Sequence, residues 1–485
     1  MQNKEYGKED FGQKDRKKRK HVRRGIYLAG WFLIMLLNTM AWNSNAFCDF
    51  YIRYIFPIWV NTYGRLTGAF GFSVGEFLLM AGVALVAIAL FAWIPVTFYR
   101  LKRMQEQAPG RMASRKHIFR RKSAVIAEAY RKDNEKKAHQ GEKRFPGIKG
   151  FYCFFAWVLM IVCLIMTLNC TILYHASAFS KKYFGEDTGE YTLEELVAFR
   201  NMVVEKCNTL SAQMIRTEDG EILYMPDARK ESVEENGQEE GAEKQEEDNA
   251  GREQNTTERK QEGALADQGT AEQADKKKSA RMMEEQAVLA MKALGQAYDQ
   301  LDGYYPKPKA LLTSDFFSQQ YMCGYYFPFS MEANYNDVMY IMNKPSAMCH
   351  ELAHLRGYIY EDEANFISYL ACTQSEDLLF QYSGYLSVLN YLDNDFYKAV
   401  GKDAKKYLEQ PRIEEQVYED KVFVTQKEWE RIEKKAWIST ETVEQVSDAF
   451  IETNLKVNGV ADGKISYSRV VRLLLQYQRT MENEN

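Results

Sequence analysis

Histidine is scarce in this chain, with six in 485 residues, and beyond residue 174 only His175, His350 and His354 remain. That leaves no credible Ser-His-Asp set. The eight cysteines contain no C-x-x-C pair and suggest no second metal cluster. No glycine-rich loop follows a strand pattern, so a phosphate-cradling loop is not indicated. Internal repeats are absent. Aromatics all but vanish from residues 217–280, which are rich in Glu, Gln, Lys, Asp and Gly. Such a stretch cannot bury enough apolar surface to offset its ordering entropy and reads as a disordered acidic insert.

Charge is missing from three long runs: 25–42, 77–99 and 150–174. Each approaches or exceeds the ~20 apolar residues needed to span ~30 Å of hydrocarbon. Bare spans without intramembrane charge argue against a transporter. Ten Lys and Arg precede the first run (residues 1–24), sixteen lie in 100–149, and the intervening 43–76 carries only Arg53 and Arg65. The positive-inside rule therefore places the basic tail 1–24 and the basic loop 100–149 in the cytoplasm, 43–76 outside, and everything after residue 174 outside the cytoplasmic membrane. The long basic flank and the two later spans favour an uncleaved signal anchor for the first run. Residues 47–66, apolar but interrupted by Asp49, Arg53 and Pro57, read as an interfacial helix or lid.

The net charge of −4 conceals an asymmetry. After residue 174 there are 35 Lys and Arg against 56 Asp and Glu, and an acidic ectodomain argues against nucleic-acid binding. Two of the scarce histidines fall in His350-Glu351-Leu352-Ala353-His354, an H-E-x-x-H match. Four-residue spacing on a helix puts both imidazoles on one face, able to hold one Zn²⁺, with Glu351 placed as general base. Pro345 and Ser346 suit the start of that helix and Gly357 its end.

Glu361-Asp362-Glu363 then suit the positive first turn of a second helix. Glu361, or alternatively Glu363, would complete a His₂Glu set with one position open. Asn365, four residues after Glu361, would support a ligand from behind. Charges crowding the motif disfavour an intramembrane protease. Tyr358, Tyr360 and Tyr467 are the available hydroxyl donors to an oxyanion.

Helical periodicity marks 193–215, 283–301, 375–400, 426–453 and 466–481. The first two would pair as a hairpin with the insert at its tip. The aromatic, turn-rich stretch 311–343 is the exception, with Tyr325–Phe329 and Val338–Met342 suited to short strands. A strand there could accept substrate backbone or merely brace the motif helix. Cys349 and Cys372 bracket the motif and are one disulfide option that spacing cannot settle.

HELAH followed by E-x-x-A-N resembles the gluzincin metallopeptidases, which usually carry Asp where this chain has Asn365. More widely, GYYFPFSMEANYN (324–336), CHELAHLRGYIYEDEANFISYLAC (349–372), QYSGYL (381–386) and LKVNGVADGKISYSRVV (455–471), behind three spans, resemble the bacterial domain-of-unknown-function 3810 family. The resemblance implies a membrane-anchored, peptidase-like protein.

The expected architecture is mainly α. Three N-terminal transmembrane helices lead into a mostly helical, extracytoplasmic, zincin-like domain (175–216 and 281–485) with a short strand region. The expected function is a zinc metallopeptidase acting on a peptide or protein substrate beside the lipid bilayer. The alternative is a non-catalytic zinc-binding membrane sensor or scaffold.

Overall fold

The structure, a computed structural model, describes residues 2–107, 146–185, 191–224, 257–445, 447 and 467–484. Most of the basic loop (108–145), the middle of the acidic insert (225–256) and residues 455–466 of the last quoted motif lie outside the described residues. The described chain is mostly helical, with one small sheet and three helical stretches long and apolar enough to cross a membrane: Lys18–Asn43, Val74–Phe91 and Gly150–Tyr174. It divides into two units, Met1–Met40 with Glu76–Leu168, and Ala41–Gly75 with Asn169–Asn485.

The first unit is built from α1 (Gln2–Asn43), α2 (Val74–Gln107) and α3 (Pro146–Met166). Helices satisfy every backbone group internally, the form an apolar run must take in lipid. Gly30 lets Met160 lie close against α1, and Tyr27 meets Trp157 edge-on at 5.4 Å. The polar Asn38 amide is satisfied twice, donating to Ile34 O (2.8 Å) and Thr167 Oγ1 (2.9 Å).

The second unit is a helical body on a small sheet. Its principal helices are α4 (Leu193–Ser211), α5 (Thr257–Leu294), α6 (Lys344–His354), α7 (Glu361–Thr373), α8 (Leu378–Ala399) and α9 (Tyr467–Glu484). Leu352, Ala353, Phe366, Ile367, Phe380 and Leu389 are fully buried where α6, α7 and α8 meet. Each large side chain there contributes about 1.5–3 kcal/mol by leaving water. The expected hairpin does not form: α4 packs along α8, whereas α5 packs along α6 and α7. Amphipathic periodicity specified two apolar stripes but not which helix each would cover.

Two further boundaries differ from expectation. Helix α5 begins at Thr257, inside the stretch assigned to the insert, since its Glu, Gln, Ala and Lys are good helix formers. The helix expected over 426–453 stops at Lys435, where Ala436 turns extended (ψ 126°). Gln319 holds the break by donating to Ile438 O and Thr440 Oγ1. Residues 446 and 448–453 lie outside the described residues.

The sheet comprises β1 (Lys309–Ala310), β2 (Gly324–Phe327) and β3 (Glu332–Tyr335), in the order β1-β3-β2. β1 is parallel and β2 antiparallel to β3, which leaves β2 at an edge. Val338–Met342, expected as a strand, instead leads into a 3₁₀ turn at Ile341–Asn343. The second strand is β3, whose polar Glu332 and Asn334 hid it from an apolar-alternation reading; both are buried.

Residues 45–68 are almost continuously helical, with π turns at Tyr51–Ile55 and Val60–Gly64. Cys48, Tyr51, Ile52, Phe56 and Val60 are buried on one face. The following turn is locked to the sheet. Lys309 Nζ pairs with Glu332 (2.5 Å) and donates to Thr67 O (2.8 Å) and Phe72 O (3.0 Å). Glu332 also accepts from Val74 N (3.2 Å) and Gly75 N (2.7 Å). Removing one partner of such a buried pair strands the other's charge. Lys309→Met is therefore expected to lower unfolding free energy by about 3–5 kcal/mol in denaturant titrations of the purified chain. An unchanged midpoint would contradict this account.

Candidate metal centre

The motif helix starts with Pro345 in its first turn and ends against Gly357, whose φ of +89° is one glycine adopts without strain. Chain reversal at Gly357 brings the first turn of α7 back over the end of α6. There His350, His354 and Glu361 converge, with one ligand atom from each within 4.8 Å of the others. His350 Nε2 lies 3.1 Å from Glu361 Oε2, and His354 Nε2 lies 3.9 Å from Glu361 Oε1. Donors about 3.3 Å apart are what a tetrahedral zinc with ~2.0–2.1 Å bonds requires.

The far side of each imidazole supports the same use. His350 Nδ1 meets Asn365 Oδ1 at 2.9 Å, and His354 Nδ1 meets Tyr358 O at 2.6 Å. A carbonyl can only accept, so the His354 proton sits on Nδ1 and its Nε2 lone pair faces the cluster. The Asn365 carbonyl oxygen likewise accepts from His350 Nδ1 and turns its Nε2 to Glu361. The donor set and its orientation therefore fit a zinc ion.

The three consecutive acids of α7 point three ways, as steps of about 100° around a helix demand. Glu361 faces the histidines. Asp362 pairs with Arg469 of α9 at 3.1 Å, and Glu363 accepts from Phe179 N at 2.5 Å. Glu363, the alternative ligand, is thus engaged elsewhere. Asn365 lies where its spacing from Glu361 put it, behind His350.

Burial works against charge throughout the cluster. Glu361 nevertheless falls to about 2, because the hydrogen bond and charge of His350, then the charge of His354, outweigh its desolvation. His350 rises to about 9, desolvation being outweighed by Glu361. His354 drops to about 4 through burial and the charge of His350. Glu351 is pushed up to about 8 by burial, and Glu363 to about 7 for the same reason.

Strand β2 roofs this cluster. A Cβ on Gly324 would stand 2.6 Å from Glu351 Oε1 and 2.7 Å from Asn334 O, so only glycine fits between the carboxylate and the sheet. The Tyr326 backbone N–H donates to Glu351, and Cys323 feels the charges of Glu351 and Glu361. Sequence reasoning missed Tyr358 O and Gly324. A carbonyl leaves no trace in sequence, although a glycine opening a strand is a usable sign of close approach. Of the expected oxyanion donors, Tyr360 gives its hydroxyl to Tyr174 O (2.9 Å), and the Tyr358 side chain is buried. Tyr467 opens α9, and its side chain lies outside the described residues. All eight cysteines are free thiols, with Cys349 and Cys372 in side-chain contact inside the core.

A family model described as "Protein of unknown function (DUF3810)" matches residues 118–475. The chain belongs to this DUF3810 family. The match contains the third candidate span and the whole His350–Glu361 cluster, whereas the first two spans precede it. No curated protein and no solved structure matches the chain.

Competition titrations with a zinc chelator should separate the two glutamates of this DUF3810 chain. Glu361→Gln is expected to abolish stoichiometric zinc and Asn365→Ala to weaken it about 10–100-fold, with Glu363→Gln unchanged. Loss of zinc in Glu363→Gln with retention in Glu361→Gln would reverse the assignment.

Proposed function

We propose that this protein is a membrane-anchored zinc metallopeptidase that hydrolyses peptide bonds on the outer side of the cytoplasmic membrane. The observation that carries the proposal is the convergence of His350 Nε2, His354 Nε2 and the Glu361 carboxylate, with Glu351 one residue from His350 and tucked under an edge strand. Zinc held by His350, His354 and Glu361 would polarise the scissile carbonyl and acidify water.

The chain's own residues do the rest. Glu351, adjacent to His350 on the motif helix, is placed to take a proton and return it. It accepts the proton of the attacking water and passes it to the amide nitrogen. The C–N bond breaks, the water oxygen stays on the new carboxylate and the nitrogen leaves as an amine. The outer edge of β2 offers backbone groups on which an extended substrate can lie as a further strand. Asn365 and Tyr358 O keep both imidazoles in their working tautomer.

The test separates chemistry from metal binding. Glu351→Gln is expected to keep one zinc per chain and lose cleavage of a mixed peptide library. Gly324→Ala, which displaces the Glu351 carboxylate by about 1 Å, is expected to keep zinc and lose about 100-fold in turnover. Full activity in Glu351→Gln would end the peptidase reading and leave the zinc-binding sensor.

The outward orientation is supported by the basic residues in 1–24 and 100–149 against two in 43–76. A protease added to intact cells is expected to degrade a C-terminal epitope tag and spare an N-terminal one. The opposite pattern would invert the topology.

A further inference from the structure

Two parts of the second unit bear the marks of a bilayer surface, and both lie against the metal centre. The first is the end of the third candidate span, Gly150–Tyr174. Its residues from Asn169 onward fold with the helical body. The Asn169 amide donates to Pro328 O at 2.8 Å, and Tyr326 OH donates to Asn169 O at 3.3 Å. These bonds fasten the far end of β2, the strand over Glu351, to a residue about 8 Å inside the span's end at 1.5 Å rise per residue. Tyr360, the neighbour of Glu361, bonds Tyr174 O, and the two rings stand perpendicular at 5.4 Å.

The second part is the helical segment 45–68 with the turn that follows it. Its inner face meets the body close to the site: Ile52 fills the space beside Gly357, and Gly64 touches Met331 at the start of β3. Its exposed side is rich in large apolar and aromatic residues. Phe50, Tyr54, Ile58, Leu66, Phe70 and Phe72 are 42–61% exposed. The two basic residues are exposed but partnered, Arg53 with Asp299 (3.5 Å) and Arg65 over the Tyr304 ring (3.9 Å). Both ends of this stretch continue directly into candidate spans, Lys18–Asn43 and Val74–Phe91. An aromatic face tethered at both ends to a membrane belongs at the headgroup level, where such rings are favoured.

We infer that the metal centre is seated at the lipid surface and that its substrate is a polypeptide held in the same bilayer by its own anchor, cut within a few residues of the membrane. The substrate assignment rests on the peptidase reading; the seating does not. A site at this height reaches juxtamembrane bonds that a domain standing clear of the bilayer cannot. Anchoring also confines enzyme and substrate to one surface, which raises their effective concentration.

The test uses the full chain in vesicles of phosphatidylcholine and phosphatidylglycerol, with two readouts. In the first, lipids carrying a photoreactive group near the headgroup are activated and adducts mapped by mass spectrometry. Adducts are expected on Phe50, Tyr54, Ile58 and Leu66 and not on Leu408 or Tyr418, which are 55% and 49% exposed on the helical body. Adducts confined to the three spans would overturn the seating.

In the second, one peptide library is presented free in solution, on an acyl chain, and on a transmembrane helix, with spacers of about four or about thirty residues. Four residues reach only about 14 Å from the anchor. The short-spacer forms are expected to be cut at least tenfold faster than the free library, and the two anchors distinguish a lipidated from a membrane-spanning substrate. Cleavage of the free and long-spacer forms with the short-spacer forms intact would overturn the assignment while leaving the peptidase reading standing. No cleavage of any form, with adducts on 45–72, would remove the peptidase reading and the substrate together and leave the seating.

Discussion

Each of the two motif histidines spends one ring nitrogen on a protein oxygen. Asn365 Oδ1 and Tyr358 O accept from the two Nδ1 atoms, so both Nε2 atoms face the same point in space. Without those bonds the imidazoles could rotate or change tautomer, and two histidines at helical spacing would be no more than a polar patch in a core. Glu361 then sets a carboxylate against both Nε2 atoms. Its carboxylate stays ionised because His350 bonds it, although burial alone would raise it.

The arrangement is expensive to hold. Glu351 and His354 are buried, and Glu363 lies buried beside them. Isolated charges cannot be kept that far from water, so each group either finds a partner or shifts toward neutrality. Helices α6, α7 and α8 share a dry core, and the sheet closes the other side. The Lys309–Glu332 pair ties that sheet to the turn before the second candidate span.

Similar contacts join the site to two neighbouring segments. Asn169, Tyr174, Ile52 and Gly64 are spent on contacts within a few residues of β2, Glu361 and Gly357. A tether would need none of these bonds. They join residues 45–68 and 169–174 to the elements that carry the cluster.

Much of this was legible in the amino-acid order. Three uncharged apolar runs, the HELAH spacing, the acids that begin α7 and the glycine that ends α6 are local signals, each read from a few neighbouring residues. Asn365 was found the same way, because helical periodicity is a local rule. What stayed hidden depends on residues far apart in the chain. Helix α4 packs on α8 instead of α5, β3 is a strand built on buried polar residues, and Glu363 turns to Phe179 while Glu361 turns to the histidines. The order of residues determined which groups were available and which face of each helix they share. Only tertiary packing decided which partner each face would meet, because burial rewards any apolar surface and leaves the choice among them to the shape of the whole.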